Sequence, residues 1–374
     1  MPQGNESARL RWAPQRRIPS LDALRGIAAF AVAVHHAALQ RFTIERHAAY
    51  SPGSGVFAPL LFWMGTWGVT LFFVLSGFCI HLPQARRESE GAPFIGWREF
   101  YKRRARRLLP THYASIAVAC LAAVVVPTDL VTRPTAGTLA AHVLMAHTLV
   151  SMAYFYSINA VFWSIAVEVH FYLTYPILQR MRKRLGPWFL VALLALGGVV
   201  YGAAYLRPEG DSRFVIQHLF LVTWWQWGLG AALADIYVRG TAHPLLRAVV
   251  FPGAAWIWGA SSLLVAYLDP VVAGVHVRPW IAPALCAAAL LSASIGNPRA
   301  RGTRPFEWIG EFSYSLYLIH PVALAVTMRL LHRGTTSSLV EFALDVAACI
   351  VVSWVFFQLV ERHFLNTQPR AIPQ

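Results

Sequence analysis

Apolar runs of about 20 residues alternate with short polar connections along most of the 374-residue chain. About 20 apolar residues are what a helix needs to cross the hydrocarbon core of a bilayer. Ten such windows stand near 21–40, 58–82, 110–126, 161–179, 187–206, 215–236, 248–268, 279–295, 309–330 and 338–360. A further apolar stretch, 136–156, holds His142 and His147 and is interrupted by polar residues, so it reads as a helix lying at or dipping into the interface. The pattern predicts an all-α fold: a polytopic membrane helical bundle of about ten transmembrane helices. One membrane domain over 20–364 lies between cytoplasmic tails at 1–19 and 365–374.

Charge orients this bundle. Only 13% of residues are charged and 57% are hydrophobic, whereas a soluble domain carries about 25% charged residues. The net charge of +15 would suit a nucleic-acid partner, but the arginines sit in short loops between apolar spans, where cations act as topology signals. With the N-terminus inside, 23 of the 32 Lys and Arg fall on the inside, including the run Arg86 to Arg107 and the cluster Arg180 to Arg184. Both termini are then cytoplasmic, ten spans are favoured over eleven, and the bilayer is the partner rather than nucleic acid. The first apolar run shows no small-residue cleavage site and reads as a retained span. Cys79, Cys120, Cys286 and Cys349 all fall in apolar spans without paired spacing. They read as small buried hydrophobes, with neither a disulfide framework nor a metal site.

Ionisable groups inside spans are costly and mark candidate chemistry. Arg25 and His36 are eleven residues apart in the first span. At about 100° per residue this is three turns plus roughly 20°, so the two share a face about 16 Å apart along the axis. Imidazole is suited to accept a proton near neutral pH, and guanidinium offers donors to oxygen atoms; a snorkelling Arg25 and a hydrogen-bonded His36 are equally open. His35 points about 100° away and reads as structural. The segment Phe100 to Pro110 places Arg103, Arg104, Arg106 and Arg107 beside Lys102, a cytoplasmic anion site or a lipid-facing anchor. Arg104 and Arg107, three apart, share a face if the segment is helical. Glu168 stands in an apolar helix and needs a cation or a proton. Ser313, Tyr314, Tyr317 and His320 form a polar stripe, either a cavity wall or a set of helix–helix hydrogen bonds.

Read in order, these segments resemble the acyltransferase-3 family of bacterial membrane O-acyltransferases. The carrying residues are Leu21-Asp22-Ala23-Leu24-Arg25-Gly26 with His36 eleven residues past Arg25, Gly68 to Ile80, Arg103 to Pro110, Trp163 to Pro176, and Ser313 to His320. The resemblance runs from about 18 to 364. Thr70 stands where the family has Asp, Val169 and His170 replace a second acid and a glutamine, and His363 replaces a closing proline. The extracytoplasmic SGNH hydrolase-like domain of some members is expected to be absent.

The resemblance implies transfer of an acyl group, usually acetyl, from acyl-CoA to a hydroxyl of a carbohydrate or glycosylated acceptor at the bacterial cytoplasmic (inner) membrane. No permanently bound cofactor is implied; acyl-CoA is a co-substrate. Arg103, Arg104 and Arg107 would hold CoA phosphates. Arg25 would position the pantetheine or the thioester, or stabilise the developing oxyanion. His36 would act as general base or as transient acyl carrier, and Glu168 would orient His36 or neutralise Arg25. Ser313, Tyr314, Tyr317 and His320 would face the acceptor. The competing reading of the same residues is a proton-coupled transporter with Arg25, His36 and Glu168 as its charge path; the absence of paired half-helices or an inverted repeat speaks against it.

Overall fold

The computed structural model describes residues 18–42, 57–240, 249–251, 253–268, 271–272, 275–276, 278–295, 303–331 and 338–365. The expected tails, apart from Ile18, Pro19 and Leu365, lie outside the described residues, as do Arg247, Arg299 and Arg301 of the inside cations. The helices are α1 (Pro19–Phe42), α2 (Phe57–Ser89), α3 (Trp97–Val125), α4 (Ala136–Val143), α5 (Met152–Phe155), α6 (Trp163–Leu185), α7 (Trp188–Ala204), α8 (Asp211–Gln217), α9 (Phe220–Arg239), α10 (Ala254–Leu268), α11 (Arg278–Ile295), α12 (Arg304–Glu311), α13 (Ser313–Leu331) and α14 (Ser338–Leu359). Among the described residues the one strand pairing is antiparallel and two residues long, β1 (Val271–Val272) against β2 (Val275–His276).

A helix thus occupies each of the ten apolar windows. Among the described residues, three helices are long and apolar enough to cross a membrane on their own: Trp63–Ser89, Trp97–Val125 and Leu339–Leu359. A fourth is added if the bent pair α12 and α13 is one span. The stretch 136–156 divides into α4, a 3₁₀ turn at His147–Leu149 and α5. Its longest piece has eight residues, a rise of about 12 Å, too short to cross.

Two windows differ from the sequence expectation. The third helix does not begin at Pro110 but runs through it from Trp97. An interior proline removes one backbone hydrogen bond, and the remaining turns of this 29-residue helix hold it together. Arg103 to Arg107 therefore ride on the same rod as the apolar span. The window 309–330 is not one straight helix: α12 and α13 meet at 80°. The hinge is Phe312, whose buried ring is wedged into the core.

Helix α1 is central, packing on α2, α12, α13 and α14. Its approach to α12 is set by two glycines. A Cβ on Gly26 would strike the Phe306 carbonyl oxygen, and one on Gly310 would strike the Asp22 carbonyl oxygen. A second reciprocal pair joins α2 to α9, where Gly77 abuts the Trp227 carbonyl and Gly230 abuts that of Val74. Small residues allow such close backbone approach in membrane bundles. Phe72 of α2 packs against all three apolar clusters of the bundle.

Beside the core residue Phe162, His142 and His147 stack face to face, with ring centroids 3.8 Å apart and planes 3° from parallel. His112 of α3 packs on Phe162 beside them, and all three histidines are fully buried.

Gly77→Ala and Gly230→Ala are each expected to lower the thermal midpoint in detergent, by an overpacking cost of about 1–3 kcal/mol, because backbone atoms stand where the methyl would go. Gly198→Ala, in α7 with open space around it, is expected to leave the midpoint unchanged or raised. Acid should also destabilise the fold. Burial holds His142 below its ordinary value, and burial followed by His142 and His112 pushes His147 down to about 2. His147 is neutral when folded and His142 resists protonation, whereas the unfolded chain takes up protons below about pH 6.5. Their contribution is complete above about pH 6.5 and is lost as pH falls, at up to about 1.4 kcal/mol per pH unit for each ring. Thermal melts between pH 5 and 8 should show this slope, and His147→Gln should flatten it.

Candidate active site

Seven helices line a shared cavity of about 800 Å³, and five of them each present a polar stripe to it. Residues three or four apart on a helix lie on one face. That spacing brings Asp22 and Arg25 from α1, Ser76 and Cys79 from α2, and Arg104 and Arg107 from α3 into the wall. It does the same for Ser164, Glu168 and Tyr172 from α6 and for Ser313 and Tyr317 from α13.

Arg25 is held from two sides. Its Nη1 reaches Asp22 Oδ1 at 3.2 Å, and its Nη2 donates to Cys79 Sγ at 3.1 Å. The glycine contact at Gly26 fixes the turn that carries it. Cys79 is therefore a half-buried partner of the guanidinium in the cavity wall, not simply a small buried hydrophobe.

Glu168 is met by hydrogen bonds. Ser76 donates to its Oε1 at 2.6 Å and Tyr172 donates to the same oxygen at 2.5 Å. The buried Trp227 indole donates in turn to Ser76 Oγ at 3.1 Å. Among the described residues Glu168 forms no ion pair with Arg25 and no hydrogen bond with His36. Glu168 thus touches neither His36 nor Arg25 directly, and its charge acts on the Arg25 guanidinium through space. Arg25 pairs with Asp22, its neighbour one turn earlier on the same helix, and Glu168 sits in a ring of hydroxyls.

The three arginines assigned to the donor have different fates. Arg104 lines the cavity and has no hydrogen-bond or ion-pair partner among the described residues. Arg107 lines it too, but its Nη2 is 2.7 Å from Glu361 Oε1 and its guanidinium lies 5.5 Å from the centroid of the Tyr314 ring. Glu361, fully buried, accepts at Oε2 from the Ser315 backbone N–H at 3.0 Å and the Ser315 hydroxyl at 2.5 Å. Arg103 is exposed, pairs with Glu99 at 2.6 Å and does not line the cavity. One residue before Arg104, it is rotated about 100° away.

Beyond the cavity wall stand the histidines. His36 does not line the cavity. Its Nδ1 is 3.0 Å from the Val32 carbonyl oxygen and 3.1 Å from His320 Nε2. His35 turns away, with Nδ1 2.9 Å from the Leu61 carbonyl oxygen. Of the stripe assigned to the acceptor, Ser313, Tyr314 and Tyr317 line the cavity and His320 does not. Their hydroxyls are committed to backbone carbonyls: Ser313 to Gly310, Tyr314 to Leu108 and Tyr317 to Val161. Tyr317 also accepts from Ser164 at 2.6 Å. The Tyr317 ring connects the cavity wall to His320, their centroids 6.0 Å apart.

Sequence reasoning missed Asp22, Ser76, Cys79, Tyr172 and Glu361 as parts of this constellation. Tyr172 and Asp22 carried a local signal, one turn from Glu168 and Arg25 respectively. It also missed a polar tie on the side assigned to the cytoplasm. There, buried His81 lies 2.7 Å from the Tyr175 hydroxyl and 3.1 Å from Asp235. Arg182 bridges Asp235 at 3.0 Å and Glu88 at 2.5 Å. This tie clamps α2, α6 and α9 together.

Glu361→Leu should lower stability on the order of 2 kcal/mol, less than for a fully buried pair because Arg107 is a third exposed. Glu99→Ala, which frees only the exposed Arg103, should leave the melting midpoint unchanged. Equal midpoints for the two variants would contradict the distinct roles assigned to these arginines.

A family model described as an acyltransferase domain matches residues 18–358. The acyltransferase MdmB of Streptomyces mycarofaciens is 25% identical over 366 residues, covering 90% of this chain and 88% of that protein. The peptidoglycan O-acetyltransferase OatA of Listeria monocytogenes is 24% identical over 381 residues, covering 93% of this chain but 56% of that protein. No solved structure shows significant similarity to the chain.

Proposed function

From the premise that this chain belongs to the acyltransferase-3 family, we propose that it is a multi-pass enzyme of the bacterial cytoplasmic membrane that transfers an acyl group, most simply acetyl, from cytoplasmic acyl-CoA to a hydroxyl of a carbohydrate or glycosylated acceptor. In this reading the ten long helices cross the bilayer, with α12 lying along the inner face and both termini cytoplasmic. The observation that carries the proposal is the shared cavity, which gathers Arg25, Arg104, Arg107 and Glu168 from three helices. Its open cation is Arg104, on the side that the charge pattern assigns to the cytoplasm. The carbohydrate acceptor is supported by the similarity to a peptidoglycan O-acetyltransferase.

Each group then has a task. Arg104 binds phosphate of the CoA moiety, while Arg107, pinned by Glu361, adds positive potential and shapes the wall. The pantetheine arm runs along the cavity. Arg25, held by Asp22 and Cys79, presents guanidinium N–H to a carbonyl oxygen of that arm, so that the thioester end reaches on towards His36. His36 takes the proton of the acceptor hydroxyl as its oxygen attacks the thioester carbon. Collapse of the tetrahedral intermediate breaks the C–S bond, and the CoA thiolate recovers that proton from His36. Glu168 with Ser76 and Tyr172 forms a fixed polar wall opposite the cations. The roughly 16 Å between Arg25 and His36 along α1 separates a donor side from an acceptor side, so the two substrates need not share an entrance.

His36→Ala should lower turnover of acetyl-CoA by about 10²–10⁴-fold while CoA binding, read by calorimetry, stays within twofold. Arg104→Ala should weaken CoA binding by about tenfold or more and blunt its salt dependence. Unchanged CoA affinity in the Arg104 variant would remove the donor-site assignment, and full turnover in the His36 variant would remove the base.

A further inference from the structure

Two histidines from distant parts of the chain share one hydrogen bond. His36 lies on α1 and His320 on α13, 284 positions later, with His36 Nδ1 and His320 Nε2 3.1 Å apart. Their rings are 5.1 Å apart, centroid to centroid. The surrounding acceptors decide where the protons are. His320 Nδ1 is 2.9 Å from the Leu316 carbonyl oxygen. A carbonyl only accepts, so in a neutral ring Nδ1 carries the hydrogen and Nε2 carries the lone pair. That lone pair requires a hydrogen on His36 Nδ1. The Val32 carbonyl, 3.0 Å away, requires the same hydrogen independently. Two acceptors on different helices thus select one tautomer of His36, with the Nδ1 hydrogen shared between them. His36 Nε2 is left as a lone pair with no partner among the described residues.

Resting on the reading of His36 as the base, we infer that His320 is its positioning residue: it fixes the tautomer that leaves Nε2 free and stabilises the imidazolium formed when Nε2 takes the hydroxyl proton. As that proton arrives, the Nδ1–H becomes a stronger donor, and its bond to His320 strengthens in the transition state more than in the ground state. The arrangement does with a neutral imidazole what a carboxylate does behind the histidine of a hydrolytic triad. His320 is itself held firmly. It is fully buried, its own carbonyl accepts a 3.7 Å contact from the Cys349 thiol, and Asn159 donates to the nearby Leu318 carbonyl at 3.0 Å. Its place is therefore behind the base, not in the acceptor-facing stripe to which its helical spacing assigned it.

The test uses purified full-length protein in nanodiscs, with ¹⁵N-histidine NMR and acetyl-CoA turnover read as thiol release. The His36 signal is identified by difference against His36→Gln. Wild-type His36 should show the Nδ1–H tautomer. His320→Leu should lose that fixed tautomer and lower kcat by about 10- to 100-fold, with the KM for acetyl-CoA within twofold and the ascending limb of the kcat–pH profile displaced. His320→Gln, whose amide oxygen can accept from His36 Nδ1, should recover most of the loss. An Nε2–H tautomer in the wild type overturns the inference even if the leucine variant does not fold. So does a leucine variant with unchanged His36 signals and pH profile. Wild-type turnover in His36→Ala is a different outcome, which overturns the base reading itself.

Discussion

A charge inside an apolar bundle has to be met where it stands, because leaving it unpaired costs several kcal/mol. Most of the internal ionisable groups of this protein obey that constraint in recognisable ways. Arg25 is met by Asp22 one turn away, Arg107 by Glu361 from the end of the chain, and Arg182 by Asp235 and Glu88. Glu168 is met by two hydroxyls rather than a cation. Within the cavity Arg104 departs from the rule, and a group left open where its neighbours are satisfied is the natural place for a charged ligand.

The helices were legible from the sequence because a membrane span is read from one local quantity, the length of an apolar run. Local periodicity likewise placed Arg104 and Arg107 on one face, since three residues on a helix return nearly to the same side. The same arithmetic excludes Arg103, and grouping three arginines by composition overrode it. The 80° break before Ser313 was hidden because both arms of the elbow are apolar enough to read as one run. Continuity through Pro110 was hidden because a proline normally marks a helix start.

What could not be read were partners far apart in the chain. Ser76 and Glu168 are 92 positions apart, Arg107 and Glu361 more than 250, and His36 and His320 284. A sequence without a fold shows that Glu168 needs something but not what stands opposite. The stripe Ser313, Tyr314, Tyr317 and His320 illustrates the same limit. Its spacing identified a common face, and the tertiary packing divided that face between a cavity wall and a support for His36.

The glycine contact between α1 and α12 carries a consequence for how this scaffold can change. Backbone touches backbone at Gly26 and Gly310, so neither position admits even a methyl group without moving a helix. Glu311, the immediate neighbour of Gly310, lines the cavity and lies outside the backbone contact. The crossing thus separates what must stay from what can vary. The inner wall of the cavity can be rewritten for a different donor, one side chain at a time, on a frame that does not shift. A family built on such a joint can diversify its chemistry without renegotiating its architecture.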